Sequence, residues 1–556
     1  MYRDYTAVSA DSDDVRTPYG FGPNRIVIGG NPVDVGFSID LTINPDVQAL
    51  AQQAAACYTG RDDVCGALDI RRKEDATRAP GSRMLEHAMV RMAAIAIVDV
   101  ASGRIEALAG ALSPCTRQEY DGPGRETRCN KLPYPVRYKP DALLNAAVFH
   151  DAMPASTIKP IMAAAFLADP VVGPRWLAAE IAEMERSPKA LPSAQSLRGQ
   201  LMRSDSARFL DRMFCSDKDF TPCDRPWAIQ STARAFGWND GCDTAREECG
   251  KRGLLFGRGT ESMAKDAWLR PLEIEVSYGR LMTEPMGGKL GAPMRLRAEK
   301  PLDIAKVRRC AAGPDGKRLS KDDWEKCSGG VVVDVVAEGW GQGHARTSAL
   351  GNAGMMAMLA AAANGQTQTH RPHLVNALRG AGLLDESTLE LTGTRKGVDD
   401  VEPNRIPQDV ARVILSGLSF GHRAGTSRGA CEQVFDAKTC ADADWIAGKT
   451  GTPTFPNDDR TLDELARLCT PGAVNAPRDV AAACGPLRPY KWYVAAYRID
   501  RNDSRWTKVI GVLTERNWVA DTGRIHAAGD HGPNPAAEIA MQVVGRQLGL
   551  LPWSTH

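Results

Sequence analysis

No apolar run in this sequence approaches the roughly 20 residues that a membrane-spanning helix needs; the longest, such as Met355 to Ala363, stop well short. Net charge is nearly absent as well. The chain's 556 residues balance 69 basic against 68 acidic groups for a formal charge of +1, so no global field draws it to nucleic acid or to an anionic membrane surface. No Cys-x-x-Cys string occurs, which argues against a zinc ribbon, and none of the nine histidines stands at metal-ligand spacing from a partner. No metal and no cofactor is expected. Internal repeats and low-complexity tracts are missing too, and the composition is ordinary for a globular chain of roughly two to four domain-sized units. The stretch Met1 to Arg16 is polar and rich in aspartate, without the basic and apolar regions of a secretory signal.

Cysteine, by contrast, is plentiful. Fourteen cysteines fall into seven neighbouring couples: Cys57 and Cys65, Cys115 and Cys129, Cys215 and Cys223, Cys242 and Cys249, Cys310 and Cys327, Cys431 and Cys440, Cys469 and Cys484. Even number and close spacing in polar, Asp-, Gly- and Pro-rich segments read as local disulfides in an oxidising compartment.

Three short strings carry chemistry: Ser156-Thr157-Ile158-Lys159, then Ser204-Asp205-Ser206, then Lys449-Thr450-Gly451-Thr452. A serine is a weak nucleophile at neutral pH and needs a neighbour to take its proton. On a helix, residues three apart share a face, so Lys159 is placed to reach the Ser156 hydroxyl. An amine serves as that base only when burial or a neighbouring positive charge pulls its pKa down, and Lys449 is expected to supply such a charge. Pro160 fits a first helical turn, and the run Ile161 to Ala168, apolar on every face, predicts a buried helix starting at Ser156. Ser204 can bond the lysine or relay a proton to a leaving amine. The segment Trp445 to Thr452 reads as a strand turning small, which lets a substrate backbone come close. Lys449 and the hydroxyls of Thr450 and Thr452 are then suited to hold a substrate carboxylate beside the small Gly451, and the Thr452 N–H to join that of Ser156 in an oxyanion hole. Each string alone is weak: the first also reads as a solvated pair, the second as a helix cap or turn, the third as a loop. Their order and surroundings give them weight.

In that order the strings resemble the active-site set of penicillin-binding protein transpeptidases, and the resemblance runs from about residue 37 to the C-terminus. Leu41-Thr42-Ile43-Asn44 with Gln48 is similar to the family's first strand and helix. Ala94 to Asp99 and Ser102 to Ala109, turning at Ser102-Gly103, are similar to its first hairpin. Asn145-Ala146-Ala147 and Met153-Pro154-Ala155 precede the nucleophile as in the family. Trp340 to Gly343, Thr347 to Leu350, Ala363-Asn364-Gly365 and Arg371 to Val375 resemble its stretch before the Lys-Thr-Gly strand. Trp492 to Tyr497 and Val509 to Thr514 resemble its last two strands, and Gly532 to Ala537 opens a C-terminal helix. His344 and His373 lie in such stretches and read as structural or groove-lining. Three departures stand out. Ser206 occupies the usual asparagine position, Ala155 mildly replaces a glycine, and 293 residues separate Ser156 from Lys449, with insertions expected within about 208–335.

The resemblance implies an α/β fold, a five-stranded antiparallel sheet flanked by helices with a helical subdomain, over residues 37–556 behind an extension or linker at 1–36. It implies a peptidoglycan D,D-transpeptidase that is acylated at Ser156, cross-links stem peptides and is a target of β-lactams. Catalysis falls to Ser156, Lys159 and Ser204, and substrate binding to Ser206, Lys449, Thr450, Gly451 and Thr452. Implied partners are peptidoglycan stem peptides, β-lactam antibiotics and a membrane glycosyltransferase; nucleic acid is not among them. The implied location is extracytoplasmic, the periplasm or cell envelope, with membrane association through a segment absent from this chain. Alternatives are a D,D-carboxypeptidase or serine β-lactamase and, in another class, a non-turning β-lactam sensor or scaffold.

Overall fold

The computed structural model describes residues 25–28, 31–34, 36–70, 89–90, 92–112, 145–149, 152–170, 172–206, 208–209, 232–238, 251–255, 257, 275–280, 341, 345–381, 388–390, 401–453, 490–515, 518–521, 524–527 and 533–553. Its centre is built from alternation. In strand β1 (Met92–Asp99), Ala94, Ala96 and Val98 pack into one apolar cluster while Ala93, Ile95 and Ile97 pack into another. That period of two marks a strand covered on both faces. β1 pairs with β2 (Ile105–Leu112) through the expected Ser102-Gly103 turn. There Gly103 takes φ +70°, and the Asp99 carboxylate accepts from the N–H and hydroxyl of Ser102, a local bond that competes with extending the strand.

Strands β3 (Ile446–Gly451), β4 (Tyr490–Tyr497) and β5 (Lys508–Glu515) complete the five-stranded antiparallel sheet, in the order β3-β4-β5-β1-β2. β4 repeats the alternation, with Trp492, Val494 and Ala496 on one side and Tyr493, Ala495 and Tyr497 on the other. β3 is an edge strand, so the backbone groups of its outer side pair with no strand among the described residues.

Along the chain run the helices α1 (Pro45–Tyr58), α2 (Lys159–Leu167), α3 (Gly173–Arg186), α4 (Leu197–Arg203), α5 (Ala349–Ala363), α6 (Gln408–Ser419), α7 (Gly421–Ala424), α8 (Arg428–Val434) and α9 (Pro535–Gln547). α1 and α9 cover one face of the sheet through Leu50, Ala54, Ile539 and Val543. α2, α5 and α6 cover the other through Ile161, Met162, Leu350, Met356 and Ile414. The starts follow from local chemistry. Asn44 caps α1 by accepting from the N–H of Asp46 and Val47, Ser348 caps α5 through Gly351, and Asn534 caps α9 through Ala536 and Ala537. α6 packs on β3, α3 and α4 and forms the helical group beside the edge strand. A helix-flanked five-stranded antiparallel sheet is the architecture expected from the sequence.

Both cysteine couples that fall in described segments, Cys57–Cys65 and Cys431–Cys440, are disulfides with Cα–Cα distances of 4.7 and 5.9 Å. The other five couples and His344 lie outside the described residues, as does most of the insertion expected within 208–335. Among the described residues no helix is long and apolar enough to cross a membrane.

Candidate active site

The segment before α2 is pinned from several sides. The Trp492 indole donates to the Met153 carbonyl at 2.7 Å, the Ala155 N–H donates to the Gly341 carbonyl at 2.8 Å, and Thr157 Oγ1 donates to the Pro154 carbonyl at 2.7 Å. Asn352, on the buried helix α5, adds a 3.2 Å bond to the Thr157 hydroxyl. Ala155–Ile158 forms a 3₁₀ turn, and the α-helix begins at Lys159 rather than at Ser156, with Pro160 in its first turn. Ser156 is half-buried, and its hydroxyl bonds to no other described residue. Ala155 sits at φ +50°. A side chain in that left-handed region costs roughly 1–2 kcal/mol, so replacing glycine here is not the mild change that composition suggests.

Lys159 is fully buried, yet its amine does not turn to Ser156. It donates to Ser206 Oγ at 2.8 Å, to the Ser204 carbonyl at 3.1 Å and to Ser204 Oγ at 3.3 Å. The reason is satisfaction of donors. A buried ammonium has three N–H groups to pair, one serine hydroxyl cannot serve them all, and the end of α4 supplies three acceptors. Ser206 therefore accepts from Lys159 and donates its own proton back to the Ser204 carbonyl at 3.3 Å.

α4 is fixed at both ends. At its start the buried Glu180 carboxylate of α3 accepts from the backbone N–H of Leu197 and Arg198. At its end Ser204 adopts φ +54°, while the N–H of Asp205 bonds the Gln200 carbonyl at 3.0 Å and that of Ser204 the Leu201 carbonyl at 3.2 Å. This is a Schellman closure, a place that glycine normally fills. The Ser-Asp-Ser string is thus a helix terminus and a lysine-binding site at once.

The third string arrives on β3. Lys449, also buried, donates to Ser204 Oγ at 2.8 Å and to the Thr450 carbonyl at 2.9 Å. One hydroxyl, that of Ser204, therefore receives both amines. Thr450 Oγ1 lies 2.6 Å from Thr426 Oγ1, and the exposed Thr452 hydroxyl accepts from Lys491 at 3.1 Å. Gly451 lies in the fully buried run of β3. So Ser156, Lys159, Ser204, Ser206, Lys449, Thr450, Gly451 and Thr452 gather at the junction of α2, α4 and the edge strand.

Electrostatics follow from burial more than from charge. The Lys159 amine is brought down to about 7, chiefly by burial, while the nearby Asp205 carboxylate pulls the other way. Lys449 is held well below the ordinary lysine range, first by burial and then by the charge of Lys159. Of the two causes expected for Lys159, burial and the charge of Lys449, removal from water is the one that acts. Phe209, buried with its ring 5.4 Å from the Lys159 Nζ, is part of that dry wall.

Sequence reading passed over Thr426, Lys491, Phe209 and Glu180. Only Thr426 left a trace, the small string Gly425-Thr426-Ser427 shortly before β3. His373 is buried, bonds the Arg371 carbonyl at 2.9 Å through Nδ1, and its own carbonyl accepts from Ile105 and Thr42. No group of side chains suited to a metal ion occurs among the described residues.

No family model and no curated protein matches the sequence. Similar solved structures include penicillin-binding protein 3 of Mycobacterium tuberculosis in its apo form, 14% identical, covering 94% of this chain and 82% of that one with a TM-score of 0.43. Penicillin-binding protein A of M. tuberculosis, as a penicillin G acyl-enzyme complex, is 17% identical, with 92% and 81% covered and a TM-score of 0.41. PBP2 of Pseudomonas aeruginosa is 15% identical, with 93% and 76% covered and a TM-score of 0.41. These three solved structures are penicillin-binding proteins, each similar to this chain over more than nine-tenths of its length.

Proposed function

We propose that the protein is a serine D,D-transpeptidase of peptidoglycan synthesis that is acylated at Ser156 by stem peptides ending in D-alanyl-D-alanine and by β-lactams. The observation that carries this reading is the convergence of two buried lysines on one serine hydroxyl, Lys449 at 2.8 Å and Lys159 at 3.3 Å from Ser204 Oγ. Such a cluster can hold one neutral amine as a base and return a proton through a hydroxyl, which acyl transfer requires and a merely structural pair does not.

The steps are these. The neutral Lys159 amine has only two N–H groups left to pair, so its lone pair can turn to Ser156 and take that proton as Oγ forms a bond to the penultimate D-alanine carbonyl. The N–H groups of Ser156 and Thr452 receive the oxyanion. As the C–N bond breaks, the departing D-alanine nitrogen takes a proton from Ser204, replenished from the lysines. An amine of a neighbouring stem then attacks the acyl-enzyme, gives its proton back along the same path, and frees Ser156. A base of this kind contributes about 10²–10⁴-fold. Lys449 and Thr450 hold the terminal carboxylate, and the edge of β3, which pairs with no strand among the described residues, offers an extended peptide a strand to lie against.

The two disulfides support an oxidising, extracytoplasmic location. In that compartment the chain works beside a membrane glycosyltransferase that supplies its glycan strands. Labelling with a fluorescent penicillin, followed by peptide mapping, tests the assignment. The label should sit on Ser156 and vanish in Ser156→Ala while the far-ultraviolet spectrum is retained; a label on any other peptide refutes it. Turnover of a stem peptide to cross-linked product, against hydrolysis or no product, separates transpeptidase from carboxypeptidase, β-lactamase and sensor.

A further inference from the structure

The segment joining α7 to α8 comes against both halves of the site. Gly425 is pressed on the end of α4 so closely that a Cβ there would lie 2.2 Å from the Met202 carbonyl oxygen, a distance no side chain tolerates. This close approach delivers the next residue, Thr426, to β3, where its hydroxyl meets that of Thr450 at 2.6 Å. Thr426 is exposed while Thr450 is nearly buried, at 7%.

Counting protons gives the pair a definite property. Two hydroxyls carry two protons. One is consumed in the bond between them, so the pair offers one proton outward. If Thr450 donates to Thr426, its own proton is spent and it meets an anion with lone pairs. If Thr426 donates to Thr450, the Thr450 proton is free to point at an acceptor, and the chain of bonds polarises it. A carboxylate beside Lys449 selects the second arrangement, because bonds to charged acceptors are about twice as strong as neutral ones.

We propose that Thr426 is a positioning residue that donates to Thr450 and thereby orients the Thr450 hydroxyl toward the carboxylate of the ligand, making this loop a determinant of selectivity for anionic over neutral ligands. The proposal rests on the acyltransferase reading of the site. It adds a residue from a separate segment whose placement depends on Gly425.

The test compares a penicillin with its methyl ester, which lacks the anion but keeps the reactive carbonyl, on wild type, Thr426→Val and Thr426→Ser. Valine keeps the branched shape and removes the hydroxyl. With the free acid, Thr426→Val should acylate roughly 5–10-fold more slowly, through weaker binding and an unchanged limiting rate, while the ester is acylated at the wild-type rate. Thr426→Ser should restore the acid. Equal slowing of acid and ester would show a merely structural role, and a free-acid rate within twofold of wild type would show no role; either overturns the proposal. Absence of acylation of wild type by both compounds would instead overturn the acyltransferase reading itself, so the two failures are distinguishable.

Discussion

Acylation of Ser156 should rise with pH through a single limb near 7 and level off above pH 8, because the reaction needs the neutral amine of Lys159, which burial has brought to about 7. The fraction of free base follows directly. It is about 1% at pH 5, about 9% at pH 6 and about 91% at pH 8. A solvated lysine near 10.5 would be only about 0.03% neutral at pH 7, so burial is worth roughly a thousandfold in available base. The informative perturbation is Asp205→Asn. Asp205 favours the charged amine, whereas asparagine removes the charge and keeps an oxygen that can accept from the Arg208 N–H as Asp205 does. The limb should move to lower pH, and the variant should outpace wild type at pH 6 and match it at pH 8. The assay is the second-order rate of labelling by a fluorescent penicillin from pH 5 to 9, read on denaturing gels at short times. A flat profile, a limb at pH 9–10, or an upward shift in Asp205→Asn would refute the reasoning, since each means that the base is not a desolvated lysine next to this carboxylate.

Ser206→Asn should leave acylation unchanged or faster by no more than about 1.5 kcal/mol, because an amide oxygen can replace the hydroxyl as acceptor for Lys159; a large loss in the same labelling assay would show that the pocket is built around serine. Ser204→Gly should nearly abolish acylation, because it removes the hydroxyl that both buried amines reach, and should not raise stability in urea, because the loss of that acceptor, about 1–3 kcal/mol, offsets the relief of a side chain held at φ +54°; a variant labelled at the wild-type rate would contradict the role of Ser204. His422, buried against the Tyr493 hydroxyl at 2.6 Å, is depressed by burial to about 4 from an ordinary 6.5. The unfolded chain therefore binds a proton that the native state refuses between those values. Stability from this group is full above pH 6.5 and falls toward pH 4 by roughly 1.4 kcal/mol per unit. Urea midpoints across that range should decline less steeply in His422→Gln, and an unchanged slope would count against the sign.

Some of this molecule was settled by the sequence alone. Asn44, Ser348 and Asn534 cap helices, and Pro45, Pro160 and Pro535 occupy first turns, because those preferences act within a few residues. The alternation in β1 and β4 and the turn at Ser102-Gly103 are equally local. The three strings named the participants, since residue type limits which chemistry is available. What the tertiary structure decided is who meets whom. Nothing local to Lys159 says that its amine bonds Ser206 and Ser204 rather than Ser156; that choice follows from burial, which demands three acceptors and finds them at the end of α4. Nothing local to Lys449 says that it reaches a hydroxyl 245 residues away. Likewise Ala155 and Ser204 look ordinary in sequence, and only the packed backbone forces them into the left-handed region. Short-range propensities are readable from neighbours, whereas proton affinities and hydrogen-bond partners in a dry site depend on which distant groups the fold excludes from water together.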